Sequence, residues 1–433
     1  MLDAVLVRMR IALLLLGISA CRADSGAPAA LEFWAMGREG EVVQQLVPDF
    51  ERRHPDIQVR VQQIPWSAAH EKLLTAYVGD AMPDAFQLGN TWIPELAVLE
   101  AIEPLDARLA ASGIPTADYF PGILDTNVIA GATYGMPWYV DTRVLFYRTD
   151  RLREVGYAEP PRTWESWLDA MQRLKARAGS GAYAILVPMT EWQVPVILAL
   201  QQGADLLRDH DQYGDFEDAA FRRAFGFYLE LFRTGLAPRA GAAQVANLYD
   251  DFAKGYFAFY ITGPWNIGEF GRRLPPELQE QWATAALPGA DDAYPGVSLA
   301  GGASLAICRR CAHRDAAWEW IAYLSEPAQQ AAFYRLTGDL PARQQAWDDA
   351  ALRTHPRTRA FWEQLQHLRS TPKIPEWERI ADAIGQHAEA AIRGDVTAAA
   401  ALRALDEDVD AILQKRRWLL SRGHAAGAAS GSP

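Results

Sequence analysis

The sequence predicts an α/β protein of two lobes, each a sheet flanked by helices. Three observations carry this reading. The 433 residues exceed what one hydrophobic core ordinarily supports. Half of the residues are hydrophobic and 22% are charged, a globular balance rather than that of a disordered or multispanning chain. From Leu31 onward, short apolar runs closed by Gly or Pro alternate with segments of helical spacing. Residues 31–36 read as the first strand, ending at Gly37, and Val43, Leu46, Val47 and Phe50 then fall on one helical face. Ile57, Val59 and Val61 alternate with polar residues as a strand does, and residues 68–78 form a helix stopped by Gly79 and Asp80. Residues 84–88 are another strand, followed by a helix over 93–99. Repeated strand-helix-strand units predict a mostly parallel sheet, with ligands beyond the carboxyl ends of its strands.

Residues 134–150 are extended but too long, and too polar in the middle, for one buried strand, so they are expected to pass between lobes. The second lobe then follows: helix 164–177, strand 182–188, and helices over 194–202 and 221–232. Residues 257–262 are an apolar strand closing at Gly263, Pro264 and Trp265, and residues 299–308 are a strand interrupted by Gly301 and Gly302. An amphipathic helix covers 316–325 and helices dominate from Arg357, while the Ala, Gly and Ser-rich tail 421–433 predicts disorder.

A net charge of -12 argues against a nucleic-acid partner and disfavours an anionic ligand, but decides nothing about a neutral one. Arg8 and Arg10 precede an apolar run too short to span a bilayer, and that run ends in Gly17, Ile18, Ser19, Ala20 and Cys21. This ending resembles the lipobox of bacterial lipoproteins, which makes residues 1–21 a signal segment, Cys21 the lipidated residue and 22–30 a linker. In an exported chain, Cys308 and Cys311 are expected to form a local disulfide. Zinc would need a second ligand pair, and His313 alone does not supply it. No metal and no cofactor is expected.

Three stretches, in their order and spacing, carry a resemblance. The first is Phe33-Trp34-Ala35-Met36-Gly37 with the helix and strand after it. The second runs from Pro83 through Gly89, Asn90, Thr91 and Trp92 to Asp106. The third is Tyr134-Gly135-Met136-Pro137-Trp138-Tyr139-Val140-Asp141, continued by Leu145-Phe146-Tyr147-Arg148 and later Pro161 to Glu165. Over nearly its whole mature length the chain resembles the extracellular solute-binding proteins of carbohydrate ABC importers, such as the maltose- and trehalose/maltose-binding proteins. The resemblance implies the two-lobed periplasmic-binding-protein fold with a hinge, crossed near Asp141, Pro295 and Leu340. The lobes would then be 31–140 plus 296–340 and 141–295 plus 341–420. It implies a binding protein rather than an enzyme: a periplasmic, lipid-anchored monomer that closes on a small oligosaccharide of trehalose or maltose type. Its partner would be the ABC permease with its cytoplasmic ATPase.

Sugars present flat C–H faces that stack on aromatic rings and hydroxyls that ask for carboxylates, amides and guanidinium groups. Trp66, Trp92, Trp138, Trp265 and Trp377 fall where strand-end loops are expected, although a Trp is more often core than ligand. Trp265 follows a strand, in Gly263-Pro264-Trp265-Asn266, similar to the family loop that supplies a stacking ring. Tyr139 and Asp141 match the family's aromatic and acid at the first crossover, where the bland reading of Asp141 is a hinge cap. Glu39, with Arg38, starts the first helix, where the family often places a sugar-binding acid, and an exposed helix-start carboxylate is an equal reading. Gly301 and Gly302 permit close backbone approach to a ligand, or mark a bulge. Two departures from the family stand out. Asn90 replaces an acid in the loop after the third strand, and Thr371-Pro372, flanked by Arg369 and Lys373, replaces Arg-Pro.

The rival from another class is an exported carbohydrate-active enzyme, a glycosidase, which also needs rings and a carboxylate pair. The chain has no G-x-S-x-G, H-E-x-x-H or Walker A loop, although glycosidases carry no short motif. A third reading is the same fold serving a polyol, an iron complex or a polyamine. With Asp141 and Glu39 the only acids the sequence places in a cleft, a polyamine ranks low.

Overall fold

A computed structural model of the chain describes residues 29–241, 247–291, 293–353 and 355–429. The expected signal segment 1–21 with Cys21, and residues 22–28 of the expected linker, lie outside the described residues. The first sheet has six strands, in the order Leu340–Pro341, Met136–Asp141, Gly301–Ile307, Ala85–Gly89, Ala29–Met36 and Ile57–Ile64. Ala29–Met36 pairs in parallel with both of its neighbours, whereas Gly301–Ile307 and Leu340–Pro341 run antiparallel to theirs. The second sheet orders Trp282–Ala285, Val144–Arg148, Phe259–Thr262 and Ile185–Leu186, and only its last pair is parallel. The expected mostly parallel sheet therefore holds for four strands of the first lobe. Gly301–Ile307 is antiparallel because it enters from the other lobe and so meets the sheet from its opposite end, and Leu340–Pro341 because the helix before it, Pro327–Thr337, ends at that same edge.

The two lobes are joined by several passages of the chain. It goes from the first sheet to the second between Asp141 and Val144, and returns between Ala285 and Gly301. It leaves again after Pro341, but stays against the first lobe through Asp349, whose Oδ2 lies 3.0 Å from Arg335 Nη1. Helix Pro356–Gln364 then lies on the second sheet, where Thr284 Oγ1 donates to Arg357 O at 2.7 Å and the Arg357 guanidinium covers the Trp282 ring.

Local chemistry explains the elements that matter. Helix Trp164–Ala178 starts on a capping box: Ser166 N donates to Thr163 Oγ1 at 3.2 Å and Thr163 N donates to Ser166 Oγ at 3.1 Å. The strand expected over 182–188 contracts to Ile185–Leu186, because Pro188 has no N–H for the ladder. Trp138 and Trp377 are not loop residues. Both are fully buried, Trp138 stacked on Phe333 at 4.3 Å and Trp377 edge-on to Trp192 at 5.4 Å. Cys308 and Cys311 are joined in a disulfide at the end of Gly301–Ile307. The last helix, Gln414–Ala429, runs into the stretch whose composition predicts disorder, since alanine is the best helix former. Among the described residues no helix is long and apolar enough to cross a membrane.

Candidate functional site

The carboxyl ends of the four parallel strands of the first sheet share one edge with the amino ends of Gly301–Ile307 and Leu340–Pro341. Facing them are the carboxyl ends of Ile185–Leu186 and Phe259–Thr262 and the amino end of Val144–Arg148. Between the two edges lies a cleft of about 570 Å³. Arg38, Glu39, Trp66, Asn90, Trp92, Tyr139, Asp141, Trp265, Gly301 and Gly302 all line it.

On the first-lobe wall, Gly37 turns the chain out of its strand at φ 49°, and a Cβ there would stand 2.8 Å from Trp66 Cδ1. That turn delivers Glu39 to a part-buried network. Tyr139 OH donates to Glu39 Oε1 at 2.9 Å, Trp66 Nε1 donates to Glu39 Oε2 at 3.4 Å, and Gln87 Nε2 donates to Tyr139 OH at 3.0 Å. Burial raises the Glu39 carboxyl against these donors and pushes Tyr139 well above the usual phenol range. Arg38 reaches the rim, donating to Leu336 O at 3.2 Å. Trp66 and Trp92 meet edge to face at 5.7 Å, and the His70 ring behind Trp92 pairs with Glu95 at 2.7 Å. Asn90 is not free to face a ligand with its whole amide, since Nδ2 donates to Ala300 O at 3.2 Å. Gly301 and Gly302 answer to the neighbouring strand: a Cβ would stand 2.7 Å from Asp141 O at the first and 2.3 Å from Tyr139 O at the second.

On the second-lobe side, Trp265 folds back over Gly263 so closely that a Cβ there would stand 2.0 Å from its Cζ3. The Arg143 guanidinium lies 4.7 Å over the Trp265 ring and donates to Asp141 Oδ1 at 2.7 Å. Burial raises Asp141, with Arg143 opposing, and burial likewise raises neighbouring Glu191.

Several cleft residues escaped the sequence reading, chiefly Arg143, Trp192, Glu269, Asp339 and Glu378. Arg143 stands two residues after Asp141 and Glu378 directly after Trp377, but nothing in the local pattern points their side chains inward. Asp339 is buried at the third passage. Desolvation and then the charge of Glu39 hold its carboxyl well above the usual range. Glu378, also raised by burial, reaches across from the second lobe to Thr91. Five carboxylates therefore line the cleft, where the sequence reading placed two. Thr371 lines it too, while its flanking cations turn outward, Arg369 to Asp205 at 3.1 Å and Lys373 to Asp125 at 2.9 Å. Among the described residues no group of three or more His, Cys, Asp or Glu side chains is arranged to hold a metal ion.

Residues 35–331 match the family described as bacterial extracellular solute-binding protein. The chain belongs to this family. Among solved structures, the sugar-binding protein MalE from the phytopathogen Xanthomonas citri superposes with a TM-score of 0.86. It is 48% identical, over 91% of this chain and 99% of that one. The GacH receptor of Streptomyces glaucescens GLA.O, 20% identical, shares the fold at a TM-score of 0.79 over 90% of this chain and 99% of its own. By sequence, the diacetylchitobiose binding protein DasA of Streptomyces coelicolor is 24% identical over 366 residues, 83% of each chain. The solute-binding family and the superposition on MalE both fit two lobes with a cleft between them.

Proposed function

We propose that this solute-binding protein captures a small oligosaccharide by hinge closure and delivers it to an ABC permease, without a catalytic step of its own. The observation that carries the reading is the cleft: rings from both lobes, Trp66 and Trp92 on one side and Trp192 and Trp265 on the other, stand among carboxylates and amides. Rings in two places suit more than one sugar unit, and acceptors beside rings suit hydroxyls. The 48% identity to a sugar-binding protein supports the same ligand class. A trehalose- or maltose-type disaccharide is the first choice of ligand, with Tyr139, Asp141, Glu39 and Trp265 as its principal contacts. We further propose lobes of 31–140 with 296–340 and 141–295 with 341–420, the stretch from Pro341 to Asp349 packing on the first lobe before the chain crosses, together with lipidation at Cys21, a periplasmic position and a monomeric state.

One observation favours a second reading. Glu269, Asp339 and Glu378 join Glu39 and Asp141 in the cleft, so the shortage of acids that counted against an amine-bearing ligand is removed. A thermal-shift screen of mono-, di- and trisaccharides, polyols and polyamines, with thin-layer chromatography of each mixture, separates these readings, because a ligand bound by the native state raises Tm. A shift with a disaccharide recovered intact supports the proposal. A shift with polyamines alone moves the ligand class, and a cleaved sugar transfers the case to a glycosidase.

A further inference from the structure

We propose that Arg143 is a built-in competitor of the ligand, a side chain that occupies the Trp265 ring and the Asp141 carboxylate until a sugar displaces it. The inference rests on the proposed sugar-binding function. A sugar offers the cleft two things, a flat face for a ring and donors for a carboxylate. A guanidinium offers the same two, being planar, stacking on aromatic faces and carrying five N–H donors. Arg143 delivers both at once, 4.7 Å over the Trp265 ring and 2.7 Å from Asp141 Oδ1. Its side chain is only 15% exposed, so this is a seated residue rather than a waving one.

The surroundings make displacement feasible. The backbone of Arg143 is pinned at the passage between lobes, where its N–H donates to Ser298 Oγ at 3.2 Å and its carbonyl accepts from the same hydroxyl at 2.9 Å. Only the side chain need move. Trp265 does not depend on the guanidinium for its position, because its ring packs on the bare backbone of Gly263. Asp141 ends a strand of the first sheet and Trp265 starts a helix of the second lobe, so Arg143 links the two lobes through the groups a ligand would link. Replacing it should therefore loosen the ligand-free protein and tighten ligand binding, the opposite of what truncating a ligand contact does.

The test titrates maltose and, separately, trehalose by calorimetry into the wild type, Arg143→Ala, Arg143→Lys and Arg143→Ala in a Trp265→Ala background. Arg143→Ala is expected to lower Kd about three- to tenfold, the scale of one cation–π contact plus one part-exposed ion pair. Its ligand-free Tm should fall. Arg143→Lys should lie between, keeping the charge but losing the planar stack, and the gain should shrink when Trp265 is absent. An unchanged or raised Kd in Arg143→Ala, with wild-type binding intact, overturns the competitor role alone. Absence of binding by every variant and by the wild type overturns the maltose- and trehalose-type reading of the ligand, and this proposal with it.

Discussion

At the residue scale, Trp265 and Asp339 separate two kinds of contribution. Trp265→Ala removes stacking area but little core. It should weaken sugar binding by about 1 to 3 kcal/mol, roughly five- to 150-fold in Kd, with only a small fall in Tm from the lost Arg143 contact. Equal affinity would remove the ring from the site. Asp339 is a buried carboxyl whose folded pKa is raised by desolvation and by Glu39. Its protonated form is thus favoured in the folded state, and its contribution to stability is fully present below the unfolded pKa and lost as pH rises through the folded one. Asp339→Asn should therefore raise the ligand-free Tm at neutral pH and leave it unchanged in acid, as melting curves across pH would show. Which rings and acids belong to the cleft was partly legible from strand-end positions, as for Trp265 and Glu39, while Tyr139 and Asp141 were legible only through the family resemblance. Arg143, Asp339 and Glu378 were not legible, because a side chain's direction at a lobe passage or on a distant helix is decided by tertiary packing. The same limit explains Trp138 and Trp377, whose positions near predicted loops said nothing of the neighbours that bury them.

At the element scale, alternation was enough to find the strands of the first sheet and the helices between them, since Phe33, Ala35, Ile57 and Val59 face a core that requires period two. What alternation could not show was direction. Gly301–Ile307 and Leu340–Pro341 are antiparallel because of where the chain has been, not because of their residues. Gly302 sits in this arrangement at φ 149°, with the Tyr139 carbonyl in the place of its side chain. Gly302→Ala should destabilise by about 1 to 3 kcal/mol or more through backbone strain and collision, read as a fall in Tm. The disulfide at the far end of the same strand closes a loop with a sequence separation of only 3. Replacing both cysteines by serine should cost about 2 kcal/mol or less, because so short a loop loses little entropy in the unfolded chain.

For the whole molecule, capture by hinge closure requires two lobes that close on a ligand. Lys373 and Asp125 form an ion pair between them at 2.9 Å, and Glu378 reaches Thr91 across the cleft. Small-angle scattering should show a smaller radius of gyration with bound sugar than without, and equal profiles would argue against hinge closure. Length and element order predicted two lobes. Their assembly from separated segments became readable only through resemblance, because no local pattern records a chain's return to an earlier sheet. The most direct measurement is isothermal titration of maltose and of trehalose into the wild-type protein. Capture of a disaccharide without catalysis should give a saturable heat with one site per chain for at least one of them, returning to baseline after each injection. No heat with either disaccharide, or heat that continues as the sugar is consumed, would contradict it.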